Sequence, residues 1–570
     1  MPLNLPVNEI DRILSLPERD LDSIEVDLTS NFRRRGGRLT LFPVQSRMLY
    51  EGHRSNGLLG MVSVGEGKTL TSFLMPHVIR RLDGGEIERP LLLIPASMRA
   101  QCVADWDFYS QHFLLPKTLM VRSYEELSTK TRLLSQLKPD LIICDEAHKL
   151  RNKTAARTKR VARYIKAEKP RFVALSGTLT ATSIMDFAHL AKWALGDGSP
   201  VPNRYTYLQS WASCLDRDGR PTKGDKMSMA RLQKKYGGNF RECFQKRLVL
   251  TPGVVATKSA GPPCSLVIRT DKIKIPTRVE SHLENLHKTW CTPSGEELSS
   301  ALEYVRAMRQ LICGFFYVWK WPNGIVDQDW LDTRAEWNKA VRSTLERAGE
   351  GYDSPALLAA ACDRVLQGSD ERLPRRLLES YVQWIPHKDK PLPPVAARWF
   401  SNYFVEGVYD LARKADEPPI VWYGHQAVGG RLARLSGWPL FGSGDAASKA
   451  ILEIDHPQPI IASLSAHSQG KNLQVFGNAI FAHPLSDGAR YEQALGRHHR
   501  NGQRRDEVYA TVLNHTVFDK AFKQAQRSAK YIEETTSQKQ RLCYATFDNP
   551  AEKVLSLDFS QNDEKIELTG

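Results

Sequence analysis

The sequence predicts an α/β protein with two parallel-sheet lobes and a largely helical insertion between them. Three observations predict it. Short, wholly apolar runs alternate with helical patterns in two separate stretches, about 39–195 and 396–545. An apolar run of four or five residues between helices reads as a strand buried on both faces, as in a parallel sheet. The stretch between them, 196–395, loses that alternation and carries long helical patterns instead.

The elements follow in order. Residues 1–38 read as a short helical lead ending in the basic run Arg33-Arg34-Arg35, either a solvated loop or a phosphate contact. In the first lobe, Leu91–Ile94, Leu141–Cys144 and Phe172–Leu175 are strand candidates. Each ends in small or polar residues that open a loop, and parallel sheets bind ligands beyond the carboxyl ends of their strands. Within 196–395, helices are expected over Glu297–Leu311 and Ala335–Ala348, and a strand near 265–275 that could rejoin the first sheet. Basic residues at Lys234-Lys235 and Lys246-Arg247 read equally as phosphate contacts or solvated helix faces. Phe315–Trp321 is aromatic around one lysine; packing is favoured over a base-stacking wedge. Pro391-Leu392-Pro393-Pro394 reads as a stiff linker. The second lobe offers Pro419–Tyr423, Ile460–Leu464, Ala479–Ala482 and Tyr509–Leu513 as strands, and 546–570 reads as a loose polar tail.

Composition sets bounds. The 570 residues are 41% hydrophobic and 25% charged, ordinary globular values. The formal charge of +15 favours a polyanionic partner, of which nucleic acid is the commonest. Nine scattered cysteines form no CxxC pair, which argues against a zinc ribbon and suits a reducing compartment. The opening residues lack a charged start and a sustained apolar core, so no signal peptide is expected. No apolar run approaches the length of a membrane span. A cytoplasmic monomer is the expectation.

Three motifs carry chemistry. In Gly65-Glu66-Gly67-Lys68-Thr69, glycines let backbone N–H groups close around phosphate at the start of a helix. Lys68 would neutralise the outer phosphates and Thr69 would ligate magnesium. The strict form of this loop fails, because Val62 stands where its first glycine belongs. In Asp145-Glu146-Ala147-His148, Asp145 would hold magnesium and Glu146 would polarise the attacking water. In Gln493–Gln503, Arg497 and Arg500 are three apart and would share a helix face, reaching a phosphate from the other lobe. Such an arginine accelerates comparable reactions by about 10³- to 10⁵-fold. Together they read as a nucleoside-triphosphate motor split across two lobes.

At these residues the chain resembles the superfamily 2 helicase-like ATPases, in their SWI/SNF-type, DEAH-box DNA translocase branch. The resemblance implies two RecA-like lobes. Phe42-Pro43-Val44-Gln45 is similar to the family's adenine-recognising motif, which places Gln45 on the base. Residues Gly65 to Thr69 resemble its G-x-G-K-T loop, which does not need the missing glycine. Pro95-Ala96-Ser97, followed by Trp106, resembles motif Ia near the nucleic-acid backbone. Asp145–Asn152 matches the branch's D-E-A-H-x-[LIV]-[KR]-N extension, and Leu175-Ser176-Gly177-Thr178 its coupling motif. Ser463–Leu473 is similar to motif V, with Gly470 near the nucleotide, but has His467-Ser468 where the family has two glycines. The H-R-x-G-Q ending of Gln493–Gln503 points to duplex DNA over RNA and implies arginine-finger roles for Arg497 and Arg500. It gives Gln493 a γ-phosphate or interdomain role. Ser97, Ser176, Thr178, Ser463 and Asn472 are the implied nucleic-acid contacts. The resemblance covers about 300 of 570 residues. It implies ATP and magnesium, duplex, forked or branched DNA, and replication or recombination proteins as partners. Met308–Phe315 looks like an insertion of compact phage and prokaryotic members. A strand-separating helicase, the motor subunit of a restriction or defence complex, and a DNA-binding scaffold with vestigial motifs remain alternatives.

Overall fold

A computed structural model describes residues 9–548 apart from 20–25, 181, 258–261, 263, 296–297, 299–300, 322–323, 348–351, 353 and 516. The first sheet holds β1 (Leu58–Met61), β2 (Pro90–Ile94), β3 (Met120–Ser123), β4 (Leu141–Asp145), β5 (Arg171–Ser176) and β6 (Val254–Ala256). Their spatial order is β3-β2-β4-β5-β1-β6, with every pair parallel. Successive side chains leave a strand on opposite faces. Ile142 and Cys144 therefore enter one core with Leu91 and Leu93, and Leu141 and Ile143 enter the other with Leu92 and Ile94. Helices cover both faces, which is why β4 reads as an unbroken apolar run. Each such leucine or isoleucine contributes about 1.5–3 kcal/mol through burial.

The second sheet holds β7 (Ser265–Asp271), β10 (Ile420–Tyr423), β11 (Leu440–Phe441), β12 (Ile460–Ser463), β13 (Asn478–Phe481), β14 (Glu507–Leu513) and β15 (Thr546–Phe547). Its order is β11-β12-β10-β13-β14-β7-β15, again all parallel. Between β7 and β10 in sequence, β8 (Phe315–Trp319) and β9 (Val395–Trp399) form a separate antiparallel pair. The fold is thus two parallel-sheet α/β lobes, as the sequence predicts.

The segment expected as one insertion, 196–395, is divided between the lobes. Trp211, Leu232, Phe244 and Leu248, from helices Tyr205–Leu215, Lys223–Tyr236 and Phe240–Val249, enter the first lobe's core, and β6 joins its sheet. The strand near 265–275 does not rejoin the first sheet: β7 pairs in register with β14 along its whole length. Ile312, Cys313 and Phe315 pack beneath the second sheet with Val421, Ile480 and Phe404, so the aromatic segment begins in the core, while Tyr317, Trp319 and Trp321 are half-buried. The helices Gln328–Arg347, Pro355–Leu366 and Arg375–Trp384 form a cluster of their own around Trp337, Leu358 and Tyr381, and Thr277–Thr289 and Ala301–Leu311 form another around Leu286 and Leu311. An amphipathic helix declares that it must cover something, not what it covers.

At the chain's start, Ile10 and Ile13 are buried in the first lobe, and Arg12 donates to Asp197 O and Ser199 O. Arg33, Arg34 and Arg35 are exposed. Arg247 is fully buried and bonds Pro17 O and Thr251, so it is structural and not a phosphate contact. The cysteines are all free. No helix among the described residues is long and apolar enough to cross a membrane. Of the expected tail, Thr546–Phe547 pairs with β7, and 549–570 lie outside the described residues.

Candidate nucleotide site between the lobes

The loop after β1 turns through Gly65 (φ +98°) and Gly67 (φ +75°) before the helix Lys68–Leu74 begins. Both glycines occupy the left-handed region that side chains disfavour. Gly67 is also required by space, since a Cβ there would lie 2.0 Å from Gln45 Nε2. Gln45, the third residue of the helix Pro43–Ser55, donates to Gly67 O at 3.0 Å and accepts from the Phe42 N–H at 2.7 Å. The residue expected on adenine is thus committed to holding the phosphate loop. Lys68 is buried, and its ammonium donates to Val62 O (2.9 Å) and Ser63 O (3.0 Å). Burial lowers its pKa, against the charges of Glu146 and Asp145. Thr69 follows, half-buried, and Glu66 stands half-buried on the loop.

Asp145 ends β4, and Glu146 follows it in the left-handed region at φ +57°, where a non-glycine residue costs about 1–3 kcal/mol. That turn aims both carboxyls into the space between the lobes. Burial raises the Asp145 pKa and the Glu146 charge raises it further, to about 7, against the pull of Lys68. Glu146 feels the same burial. The His148 hydrogen bond and the charges of His148, Lys68 and Arg497 outweigh it and hold that carboxyl low.

From the second lobe comes the helix Gly488–Leu495, whose start is capped by Asp487 accepting from the Ala489 N–H. The helix stops at Leu495, so Arg497 and Arg500 do not share a helix face as their spacing implies. They reach the first lobe from the turns that follow it. Arg497 is buried, donating to Gln493 O (2.9 Å) and Lys471 O (3.2 Å). Burial and the nearby Arg500 lower its pKa to about 9, while Glu146 and Asp145 oppose them. Arg500 lies against the phosphate loop: a Cβ added to Gly65 would meet Arg500 Cβ at 3.9 Å. Its buried Nε has no partner among the described residues. His498 and His499 are buried, and burial drops their pKa to about 3 and about 4, so this is no surface basic patch.

A chain of polar contacts crosses the cleft. His148 Nδ1 lies 3.2 Å from Glu146 Oε2 and 3.1 Å from Ser176 Oγ. Its Nε2 faces the Gln469 amide at 3.4 Å. Gln469 donates to Gln493 Oε1 (2.7 Å), and Gln493 donates to Thr178 Oγ1 (3.4 Å). Gln493 therefore bridges the lobes. Ser176 and Thr178 are buried within this chain of contacts. Of the other candidates for nucleic-acid contact, Ser463 is buried, Ser97 half-buried and Asn472 exposed. Gly470 packs across the cleft on Met98, where a Cβ would lie 2.2 Å from Met98 Cγ, and does not line the phosphate loop. His467-Ser468 needs no glycine: His467 ends the short helix Leu464–His467, and its buried ring bonds Gly442 O. Trp106 packs edge-on against Phe73.

Sequence reasoning missed the segment after the helix Val517–Thr536. There Gln538 donates to Ser176 O (3.5 Å), and Arg541 forms a buried ion pair with Glu492 while donating to His499 O (2.8 Å). No motif marks these residues; their separation from their partners leaves no local signal.

The donor set fits a magnesium–nucleotide. An orphaned guanidinium nitrogen and a buried lysine flank a glycine-lined loop, and beside it stand the buried carboxyls of Asp145 and Glu146, whose mutual repulsion a cation would relieve. No curated protein matches the chain. The family model of the SNF2-related domain matches residues 61–236, a span that includes two of the helices packed on the first lobe. That match, over residues 61–236, and two parallel-sheet lobes meeting over the phosphate loop support a SWI/SNF-type helicase-like ATPase of superfamily 2.

Proposed function

We infer that this chain is an ATP- and magnesium-dependent translocase on duplex or branched DNA, remodelling DNA in replication, recombination or repair. The observation that carries the reading is Arg500 from one lobe lying against Gly65 of the other with its buried Nε without a hydrogen-bond partner. The cleft is built for an anion that both lobes grip. Residues Gly65 to Thr69 hold the phosphates through backbone N–H groups and Lys68. Thr69 and Asp145 would hold a magnesium ion, which when bound would supply positive charge against the phosphates. Glu146 orients the attacking water and takes its proton. Water oxygen bonds to the γ-phosphorus as the bridging P–O bond breaks, and the electron pair leaves with the diphosphate. Arg497 and Arg500 stabilise the charge that builds in this step.

Both arginines come from the second lobe, so turnover requires lobe closure, which makes hydrolysis into motion. The contacts from Glu146 through His148, Gln469 and Gln493 to Thr178 give closure a route to the catalytic carboxylate. The charge of +15 and the H-R-x-G-Q ending support DNA as the track.

The test is ATP hydrolysis without nucleic acid and with duplex, forked or single-stranded DNA or RNA, with Glu146→Gln as blank. Stimulation by duplex or forked DNA, absent in the variant, supports the reading. Stimulation by RNA alone overturns the choice of track, and no hydrolysis under any condition overturns the motor.

A further inference from the structure

The cleft beside the phosphate loop has a third wall. It is lined by Ser63, Gly65 and Glu66 from the first lobe, by Arg500 from the second, and by Lys539 and Tyr544 from the segment that follows the second lobe's last long helix. That segment is held rigidly. Ser537 leaves the helix Val517–Thr536 in the left-handed region at φ +63°, a conformation kept only where the surroundings over-determine it. Gln538 is buried between Thr536 Oγ1 (3.3 Å) and Ser176 O (3.5 Å). The Gln540 N–H donates to the Glu533 carboxylate (3.2 Å), and Arg541 is locked to Glu492. The far end is pinned where β15 joins β7.

Between the buried Gln538 and Gln540 stands Lys539, with its side chain exposed. Its ammonium has no hydrogen bond or ion pair among the described residues. Arg541, the other cation on this wall, is already spent on Glu492. An unpaired lysine on a fixed backbone facing a phosphate loop can meet an anion at the cost of ordering its own side chain alone. We propose that Lys539 is a phosphate-binding residue of the nucleotide site, supplied in cis by the segment 537–548. Gln538 ties this segment to the first lobe and Arg541 ties it to the second, so Lys539 meets the polyphosphate only with both lobes in place. The proposal rests on the nucleotide site inferred above and is independent of which nucleic acid is the track.

The test is equilibrium binding of a fluorescent ATP analogue to the full chain without nucleic acid, competed with inorganic tripolyphosphate. Lys539→Ala is expected to weaken both ligands about 5- to 30-fold, the value of one partly exposed charge-assisted hydrogen bond. Lys539→Arg should restore most of the affinity, and Lys539→Glu should fall below Ala. Because Lys539 is exposed, the variants' urea midpoints should match the parent, which separates lost contact from lost fold. Parental affinity in Lys539→Ala, alongside loss in Lys68→Ala, overturns the proposal and leaves the site intact. Failure of the parent to bind the analogue overturns both. Unchanged nucleotide affinity with weakened duplex binding assigns Lys539 to DNA and likewise overturns it.

Discussion

Arg500 and Arg497 are expected to separate catalysis from stability, because the structure gives them different work. Arg500 Nε has no partner, so Arg500→Ala removes no hydrogen bond of the folded protein at that atom and relieves a buried, unsatisfied donor. Its unfolding free energy should stay within about 0.5 kcal/mol of the parent or rise. Its turnover should fall about 10²- to 10³-fold, the usual cost of one pre-organised donor to transition-state charge. Arg497 holds Gln493 O and Lys471 O, both inside the cleft wall. Arg497→Ala orphans two buried carbonyls at about 1–3 kcal/mol each. Removing a buried charge offsets part of this, since burial has already pulled that guanidinium to about 9. A net loss of about 1–3 kcal/mol remains, together with a comparable loss of turnover. Turnover is read by phosphate release at saturating ATP and stability by urea unfolding of the same preparations. Near-parental turnover in Arg500→Ala, or equal destabilisation of both variants, would refute the assignment.

Three further outcomes follow from the same contacts. Arg541→Met leaves Glu492 charged and buried without its partner and should cost about 3–5 kcal/mol in urea unfolding; adding Glu492→Gln should recover a large part of it. Gly67→Ala meets both a φ of +75° and the Gln45 amide, so ATP affinity should fall at least about tenfold, with a loss of about 1–3 kcal/mol in stability. If titration calorimetry finds parental affinity, the loop is not held by Gln45. The third concerns pH in metal- and nucleotide-free protein. Asp145 carries a folded pKa of about 7, raised above its ordinary 3.8 by burial. The stability tied to its proton is present below 3.8 and is lost as pH rises through about 7. Asp145→Asn should flatten that slope in thermal melts between these limits, and an unchanged slope would assign the titration elsewhere.

The sequence by itself determined the two-lobe α/β class and several of its buried strands. Leu141–Cys144 and Phe172–Leu175 are apolar at every position because β4 and β5 are buried on both faces, and their shortness between helices favours strands over buried helix. The phosphate loop and the Asp145-Glu146 turn are local: their function resides in the conformation of a few consecutive residues, so short motifs carry it.

What only the tertiary structure decided is everything that depends on partners distant in the chain. The helices 205–249 each bury part of their surface, yet nothing in their periodicity says that they cover the first sheet or that β7 crosses to the second. Ser176 and Thr178 sit in a matching motif, but only the fold buries them within the chain of contacts that crosses the cleft. The pairing of Glu492 with Arg541, and the placing of Lys539 beside Gly65, arise when a strained turn at Ser537 brings a segment some 470 residues away back to the phosphate loop. Periodicity encodes which side of an element is buried. It does not encode against what, and the walls of this cleft are built from such distant contacts.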